Sequence, residues 1–426
     1  VKVLFAIIPA VAHLHPIVPL AWALQSAGHQ VRVASHPGIT DAITSCGLTA
    51  VPVGPEVDLA SSVRAAADNA ALERITEALA LEPADANLRT ALRYYMLAPF
   101  ANYYEPPTPS GGRPMVDALT DFTRSWRPDL VLWDPLFFPA PVAARACGAA
   151  HARLLWGLDH FGWARQRFTE RLNLPGSSPH EDLMAELMRP TLERFGQEFS
   201  EELVVGQWTV DPTAQRIRLP VDVRHVPVRW VPYNGAAAVP DWLRRAPERP
   251  RVCLTLGVSG RRFFADDPVP VAELLKATGD LDIELIATLD RTQLPDGSWI
   301  PGNVRVVDYV PLNQLLPTCS AVVHHGGANT FAAAVQARVP QLMIPKEGGD
   351  YLDHARYAAE LGAGICVPRD GRLTVDGLVD ALMRLVREPA FRGGADALHA
   401  DVAQAPTPDQ VVPVLAKLTE EHRSRS

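Results

Sequence analysis

The sequence predicts an α/β protein made of two tandem domains, each with a Rossmann-like parallel sheet. Three observations predict it. Short apolar runs alternate with helix-like stretches from Lys2 to Trp156. The alternation restarts at Arg251, after a stretch rich in Pro and small residues. Within each run the residues are continuously apolar, as in strands covered on both faces.

The elements follow in order. Lys2–Ile8 reads as a strand, and Pro16–Ala27 as a helix with Pro in its first turn and Gly28 after its end. Gln30–Ala34 and Leu48–Val53 are short strands. Asp117–Trp126 is helical, Asp129–Trp133 a buried strand ending at Asp134-Pro135, Pro139–Cys147 a helix and Ala152–Trp156 a strand. Residues 58–113 and 160–205 interrupt this rhythm with aromatic and charged residues, and read as helical insertions over one end of the sheet. The second series comprises Arg251–Leu256, Asp282–Leu289, Val304–Val310, Ala321–His325, Gln341–Ile344 and Gly364–Val367, with helices between and after them. The expected domains are residues 1–230, a linker over 231–250, and residues 251–426 including the C-terminal helices.

Composition narrows the function. Hydrophobic residues are 47% of the chain, enough for two large cores, and the net charge is −8. Without a Lys/Arg cluster that charge excludes a dedicated nucleic-acid binder. The five cysteines are scattered, with no CxxC pair, so a structural zinc site or disulfide framework is not expected and a reducing, cytoplasmic setting fits. The apolar start is too short for a signal peptide and runs into patterned sequence. No stretch approaches the ~20 apolar residues that span a bilayer.

The most informative segment is Ala321-Val322-Val323-His324-His325-Gly326-Gly327-Ala328-Asn329-Thr330. A strand runs through a small-residue turn into a helix. Helix N-termini present unpaired N–H groups and a positive dipole end, which together hold phosphate. His324 and Thr330 could add donors to the same phosphate, as could the turn Gly257-Val258-Ser259-Gly260 after another strand. A plain strand-to-helix turn is the simpler alternative, but two His before two Gly are hard to explain by packing. His13 follows the first strand and Asp134 another, so both can lie at one sheet end. A neutral imidazole suits deprotonation of a hydroxyl, with a carboxylate fixing its tautomer. By position alone His15 competes with His13, and Asp134 before Pro could be a turn residue. The aromatic residues Phe137, Phe138, Trp156, Phe161 and Trp163 lie at or after strand ends, where an apolar acceptor would bind or a core would pack.

On these residues the chain resembles the GT-B nucleotide-sugar glycosyltransferases, and within them the actinomycete enzymes that attach deoxysugars to macrolides and anthracyclines. The resemblance is carried by HLHPIVPLAWALQSAGHQVRVAS, RPDLVLWDPLFF, HARLLWG, VVGQWT, RVCLTLG and the segment from His324 to Gly364. It implies a GT-B fold, two domains with a cleft between them. His13 matches the catalytic base and Asp134 its acidic partner. His324 and Thr330 match diphosphate-binding positions; Gly326, Gly327, Asn329 and, after the other strand, Ser259 are the donor-site residues read from the turns themselves. Tyr309, with Val310, matches the aromatic position that stacks on the base, and Asp350 the acidic residue near the donor sugar. Many relatives carry a smaller residue at the position of Asn329.

The resemblance further implies inverting transfer of a deoxysugar from a dTDP carrier to a hydroxyl of a polyketide-type aglycone. No cofactor beyond that nucleotide-sugar co-substrate is expected, and no metal: Asp266-Asp267 reads as a solvated acidic pair. A cytochrome-P450-like helper protein is implied as a partner, with 58–113 as the surface it would meet, and a homodimer is compatible. A nucleotide-sugar 2-epimerase and a non-catalytic nucleotide-sugar-binding partner are the competing readings. The aromatic insertions speak against the first, the presence of His13 and Asp134 against the second. A dinucleotide oxidoreductase is disfavoured because no GxGxxG follows the first strand.

Overall fold

A computed structural model describes residues 1–58, 98–104, 113–173, 182–257, 271–289, 299–346, 349–367 and 374–424. The chain divides into two compact units, Val1–Arg229 with Ala405–Ser426, and Trp230–Gln404.

The first unit contains a seven-stranded, wholly parallel sheet in the order β3-β2-β1-β4-β5-β6-β7. Its strands are β1 (Lys2–Ala6), β2 (Gln30–Ser35), β3 (Ala50–Pro52), β4 (Leu130–Trp133), β5 (Ala150–Leu154), β6 (Trp208–Asp211) and β7 (His225–Pro227). β4 and β5 are buried along their whole length: β4 is a continuous apolar run, as a strand covered on both faces requires, while β5 also buries His151 and Arg153. The inserted helices Ala98–Tyr104, His160–Leu172 and Leu183–Arg194 contribute Phe100, Tyr104, Phe161, Phe168 and Met188 to one core with Trp133, Phe137 and Phe138.

The second unit holds a six-stranded parallel sheet, β10-β9-β8-β11-β12-β13. Its strands are β8 (Arg251–Thr255), β9 (Glu284–Thr288), β10 (Val304–Val307), β11 (Ala321–His324), β12 (Gln341–Met343) and β13 (Gly364–Cys366). In both sheets the middle strand begins a series that runs to one edge, then crosses back to start the other. That reversal opens a crevice beyond the carboxyl ends of the central strands, where ligands bind in open α/β sheets.

The structure moves one expected boundary. The C-terminal helix Pro408–His422 does not belong with the second sheet. It packs on helix Val18–Ser26 and on β5 of the first unit. Val411, Leu415 and Leu418 are buried there, and the indole of Trp208 meets the His422 ring at 5.3 Å. Beyond it Arg423 pairs with Asp129 at 2.7 Å. The 231–250 stretch belongs to the second unit, with Leu243 in its core. Most of 58–113, expected to meet a helper protein, lies outside the described residues.

Candidate active site

In the first unit the site forms at the carboxyl ends of β1 and β4. β1 ends at Ala6, and a short loop leads into helix Val11–Leu14, which carries His13. β4 ends at Trp133, so Asp134 follows directly, and its N–H donates to the Ala6 carbonyl at 2.9 Å. That register places the two side chains together: His13 Nδ1 lies 2.5 Å from Asp134 Oδ2. The other carboxylate oxygen accepts from the Leu136 N–H at 2.8 Å, which holds the acid in this rotamer. A carboxylate can only accept, so Nδ1 carries the proton and Nε2 presents a lone pair. The imidazole keeps 14% of its side-chain surface exposed while Asp134 keeps 2%. Asp134 therefore both takes His13 as its partner and anchors the turn that follows β4.

The Trp156 ring packs edge-on to His13, with centroids 4.5 Å apart and planes at 60°. Trp156 follows β5 in a loop anchored by a buried ion pair. Arg153 of β5, wholly buried, meets Asp159 through two nitrogens at 2.8 and 2.5 Å. It also donates to the Val205 carbonyl at 2.9 Å and to Thr209 Oγ1 at 3.0 Å.

The expected acceptor-binding aromatics divide. Trp156 and Trp163 are partly exposed, and Trp163 carries the Arg167 guanidinium 4.9 Å from its ring. Phe137, Phe138 and Phe161 are core residues, at 0%, 0% and 3% exposure. Phe138 is enclosed by Phe100, edge-to-face at 5.0 Å, and by Phe161, tilted at 5.0 Å. These three are corrected from acceptor contacts to packing beneath the site: the inserted helices cover the strand ends that the sequence left open.

In the second unit the turn His325-Gly326-Gly327 joins β11 to helix Ala328–Ala337. Gly326 has φ +89°, and a Cβ there would lie 2.7 Å from the Tyr351 carbonyl oxygen, so only Gly fits. The helix starts with no side-chain cap at Gly327. Its first N–H groups, including those of Asn329 and Thr330, precede the first intrahelical bond, from the Phe331 N–H to the Gly327 carbonyl at 2.9 Å, and lie at the positive dipole end. From behind, His354 Nδ1 donates to the Gly326 carbonyl at 2.9 Å, its ring stacked 4.5 Å from Phe331.

His324 is not positioned to bind phosphate. It is 1% exposed, and both ring nitrogens serve the fold. Nδ1 accepts from the Gly326 N–H at 3.1 Å, so Nε2 bears the proton and donates to Gln341 Oε1 at 2.9 Å. Burial depresses its pKa to about 4, keeping it neutral. The adjacent His325 stands at the turn instead. A Cβ on Gly257 or on Gly327 would each meet its ring at 2.6 Å, so the imidazole is wedged between two glycines. The signal that could have found it is register: both histidines are buried, but His324 ends the strand with its ring packed in the fold while His325 opens the turn.

Tyr309 is 50% exposed, with its hydroxyl donating to the Asn234 carbonyl, while the Val310 side chain is core. Asp350 is half-buried at the position preceding helix Tyr351–Glu360. Ser259 lies outside the described residues, as do Asp266 and Asp267. Among the described residues no group of three or more His, Cys, Asp or Glu is arranged to hold a metal ion. No described helix is long and apolar enough to cross a membrane.

Comparison with known proteins follows this geometry. Residues 22–257 match the N-terminal domain of the erythromycin biosynthesis protein CIII-like family, and residues 272–418 its C-terminal domain. The chain is 42% identical to aclacinomycin-T 2-deoxy-L-fucose transferase of Streptomyces galilaeus, across 99% of this chain and 97% of that one. It is 44% identical to 10-deoxymethynolide desosaminyltransferase of Streptomyces venezuelae, across 96% and 95%. Among solved structures it resembles the glycosyltransferase VinC in complex with dTDP, at 36% identity and TM-score 0.83, covering 99% of this chain and 100% of that one.

Proposed function

The chain belongs to the erythromycin biosynthesis protein CIII-like family and is a glycosyltransferase of GT-B fold, and we propose that it moves a deoxysugar from a dTDP carrier to a hydroxyl of a polyketide-type aglycone. The observation that carries the reading is the 2.5 Å contact between His13 and Asp134 at the carboxyl edge of the first sheet.

Each unit supplies half of the chemistry. The bare Nε2 of His13 takes the proton from the acceptor hydroxyl as its oxygen attacks the anomeric carbon. Asp134 stabilises the imidazolium as it forms. The C–O bond to the diphosphate breaks on the opposite side, so configuration inverts. Negative charge grows on the departing diphosphate, and donors already in place stabilise it. The turn residues Gly327, Asn329 and Thr330 supply N–H groups, Gly326 lets the chain turn with its own N–H held by His324, and His325 supplies a ring N–H. Neutralisation by these groups makes a divalent ion unnecessary. The exposed face of Tyr309 stacks on the thymine, and Asp350 meets hydroxyls of the sugar.

Relatives named for transfer to aclacinomycin T and to 10-deoxymethynolide support both the sugar and the acceptor class. The test is mass spectrometry of reactions containing the chain, dTDP-2-deoxy-L-fucose or dTDP-desosamine, and these two acceptors, with and without a P450-like helper protein. A mass gain of one deoxysugar is expected. His13→Ala should abolish it while dTDP still binds. Turnover that survives His13→Ala would overturn the assignment of the base.

A further inference from the structure

A second histidine stands at the same sheet edge, one strand from His13. His36 follows β2 directly and is 3% exposed. Its Nδ1 lies 2.6 Å from the Pro55 carbonyl oxygen and its Nε2 3.3 Å from the Tyr103 hydroxyl. A carbonyl can only accept, so Nδ1 carries the proton. Burial lowers the His36 pKa and keeps the ring neutral, although the Pro55 carbonyl pulls the other way. Nε2 is then an acceptor, and the Tyr103 O–H must donate to it.

Tyr103 comes from helix Ala98–Tyr104, inserted over this edge. Its ring meets Phe137 edge-to-face at 5.6 Å and faces His36 at 6.1 Å. It remains partly exposed, unlike Tyr104 beside it. It is close enough to Asp134 to feel that charge, which adds to burial in keeping the phenol protonated. A phenol has one proton and an oxygen that can also accept. The proton is committed to His36, so among the described residues the oxygen is left with acceptor capacity at the edge that holds His13.

Resting on the acceptor reading of the first unit, we infer that Tyr103 is a specificity-determining residue: its oxygen, oriented by His36, accepts a hydrogen bond from a hydroxyl of the aglycone. An acceptor without a donor at that position gains nothing from Tyr103. One with a donor is both held and turned relative to His13. The selected feature is a hydroxyl, beyond apolar bulk.

Tyr103→Phe removes only the oxygen and keeps the ring against Phe137. The full chain and this variant are titrated calorimetrically with aclacinomycin T, 10-deoxymethynolide and the O-methylated form of each, and with dTDP. Loss of one neutral hydrogen bond weakens binding by about three- to tenfold. That loss is expected for at least one unmethylated acceptor, with its methylated form and dTDP unchanged. His36→Phe should reproduce it, since the phenol then loses its orientation. Identical affinities for wild type and Tyr103→Phe on both acceptors overturn the inference. So does an equal loss on hydroxylated and methylated forms, which marks a packing effect. Wild type that binds dTDP but neither acceptor overturns the acceptor reading itself, and this inference with it.

Discussion

His13 Nδ1 and Asp134 Oδ2 lie 2.5 Å apart although 121 residues separate them in sequence. Two parallel strands, β1 and β4, bring them together, because Ala6 is paired with Trp133 and each side chain follows its strand's last residues. Asp134→Asn keeps the shape but removes the charge and can present an N–H to Nδ1. Turnover should fall by about 10²- to 10⁴-fold with dTDP affinity unchanged. Steady-state rates beside calorimetric dTDP binding check this; a variant within threefold of wild-type kcat would contradict it.

The two histidines of the phosphate turn should separate by phenotype. On the proposed role of His325, His325→Ala removes a donor to the diphosphate and should weaken dTDP binding by about 10- to 100-fold, the range for hydrogen bonds to charged groups. His324→Ala leaves the Gly326 N–H and the Gln341 side chain without the partners they have now. It should cost about 1–3 kcal/mol of folding stability for each buried group left unsatisfied. Urea unfolding and dTDP titration of both variants distinguish them, and interchange of the two phenotypes would contradict the assignment.

Acid should destabilise the fold through buried histidines. Burial, and then the Arg145 and His422 charges, hold His151 down at about 3, and burial holds His324 at about 4. Both lie below the unfolded value of about 6.5, so unfolded chains take up protons first as pH falls. Stability is fully present above about pH 6.5 and declines below it, by up to about 1.4 kcal/mol per pH unit for each group, until the folded values are reached. Among the described residues neither ring nitrogen of His151 has a hydrogen-bond partner, so His151→Leu sacrifices none of those. Denaturant titrations from pH 8 to about 4.5 should show a shallower slope for that variant. An unchanged slope would contradict the account.

The pair beneath Trp156 should be intolerant of half-removal. Asp159→Asn leaves Arg153 buried without its charge partner, a change of about 3–5 kcal/mol in comparable buried pairs. Trp156 rides on the loop between them, so kcat should fall as well even where the protein remains folded. Thermal melting and initial rates at 20 °C measure the two effects; a melting temperature equal to wild type would remove the argument.

Much of this was legible in the sequence, for identifiable reasons. β4 is a continuous apolar run between turn residues, and β8 has an apolar centre, Val252–Leu254, as buried parallel strands require. Asp134 stood out because it directly follows such a run, and His13 because it comes a few residues after another. β6 and β7 were passed over: Trp208–Asp211 alternates apolar and polar residues after a helical region, and His225–Pro227 is three residues at a sheet edge. The choice between His324 and His325 was hidden because it depends on one residue of register and on Gln341, a partner from the neighbouring strand. Phe137 and Phe138 looked available because nothing local reveals that Phe100 and Phe161 close over them. Helix Pro408–His422 displayed its apolar face plainly, but an amphipathic pattern does not say which sheet it will cover.

That last helix has a consequence for how the molecule is made and divided. The first unit is built from residues that precede the second unit in the chain and residues that follow it, so it cannot complete its core until the second unit has been synthesised. A fragment cut at Arg229 would bare the apolar surface that Val411, Leu415 and Leu418 cover. Hybrids that join the front half of one such enzyme to the rear half of another at this junction graft a foreign tail onto the native sheet. The front half should be transplanted together with residues 405–426, as a discontinuous piece with two joins.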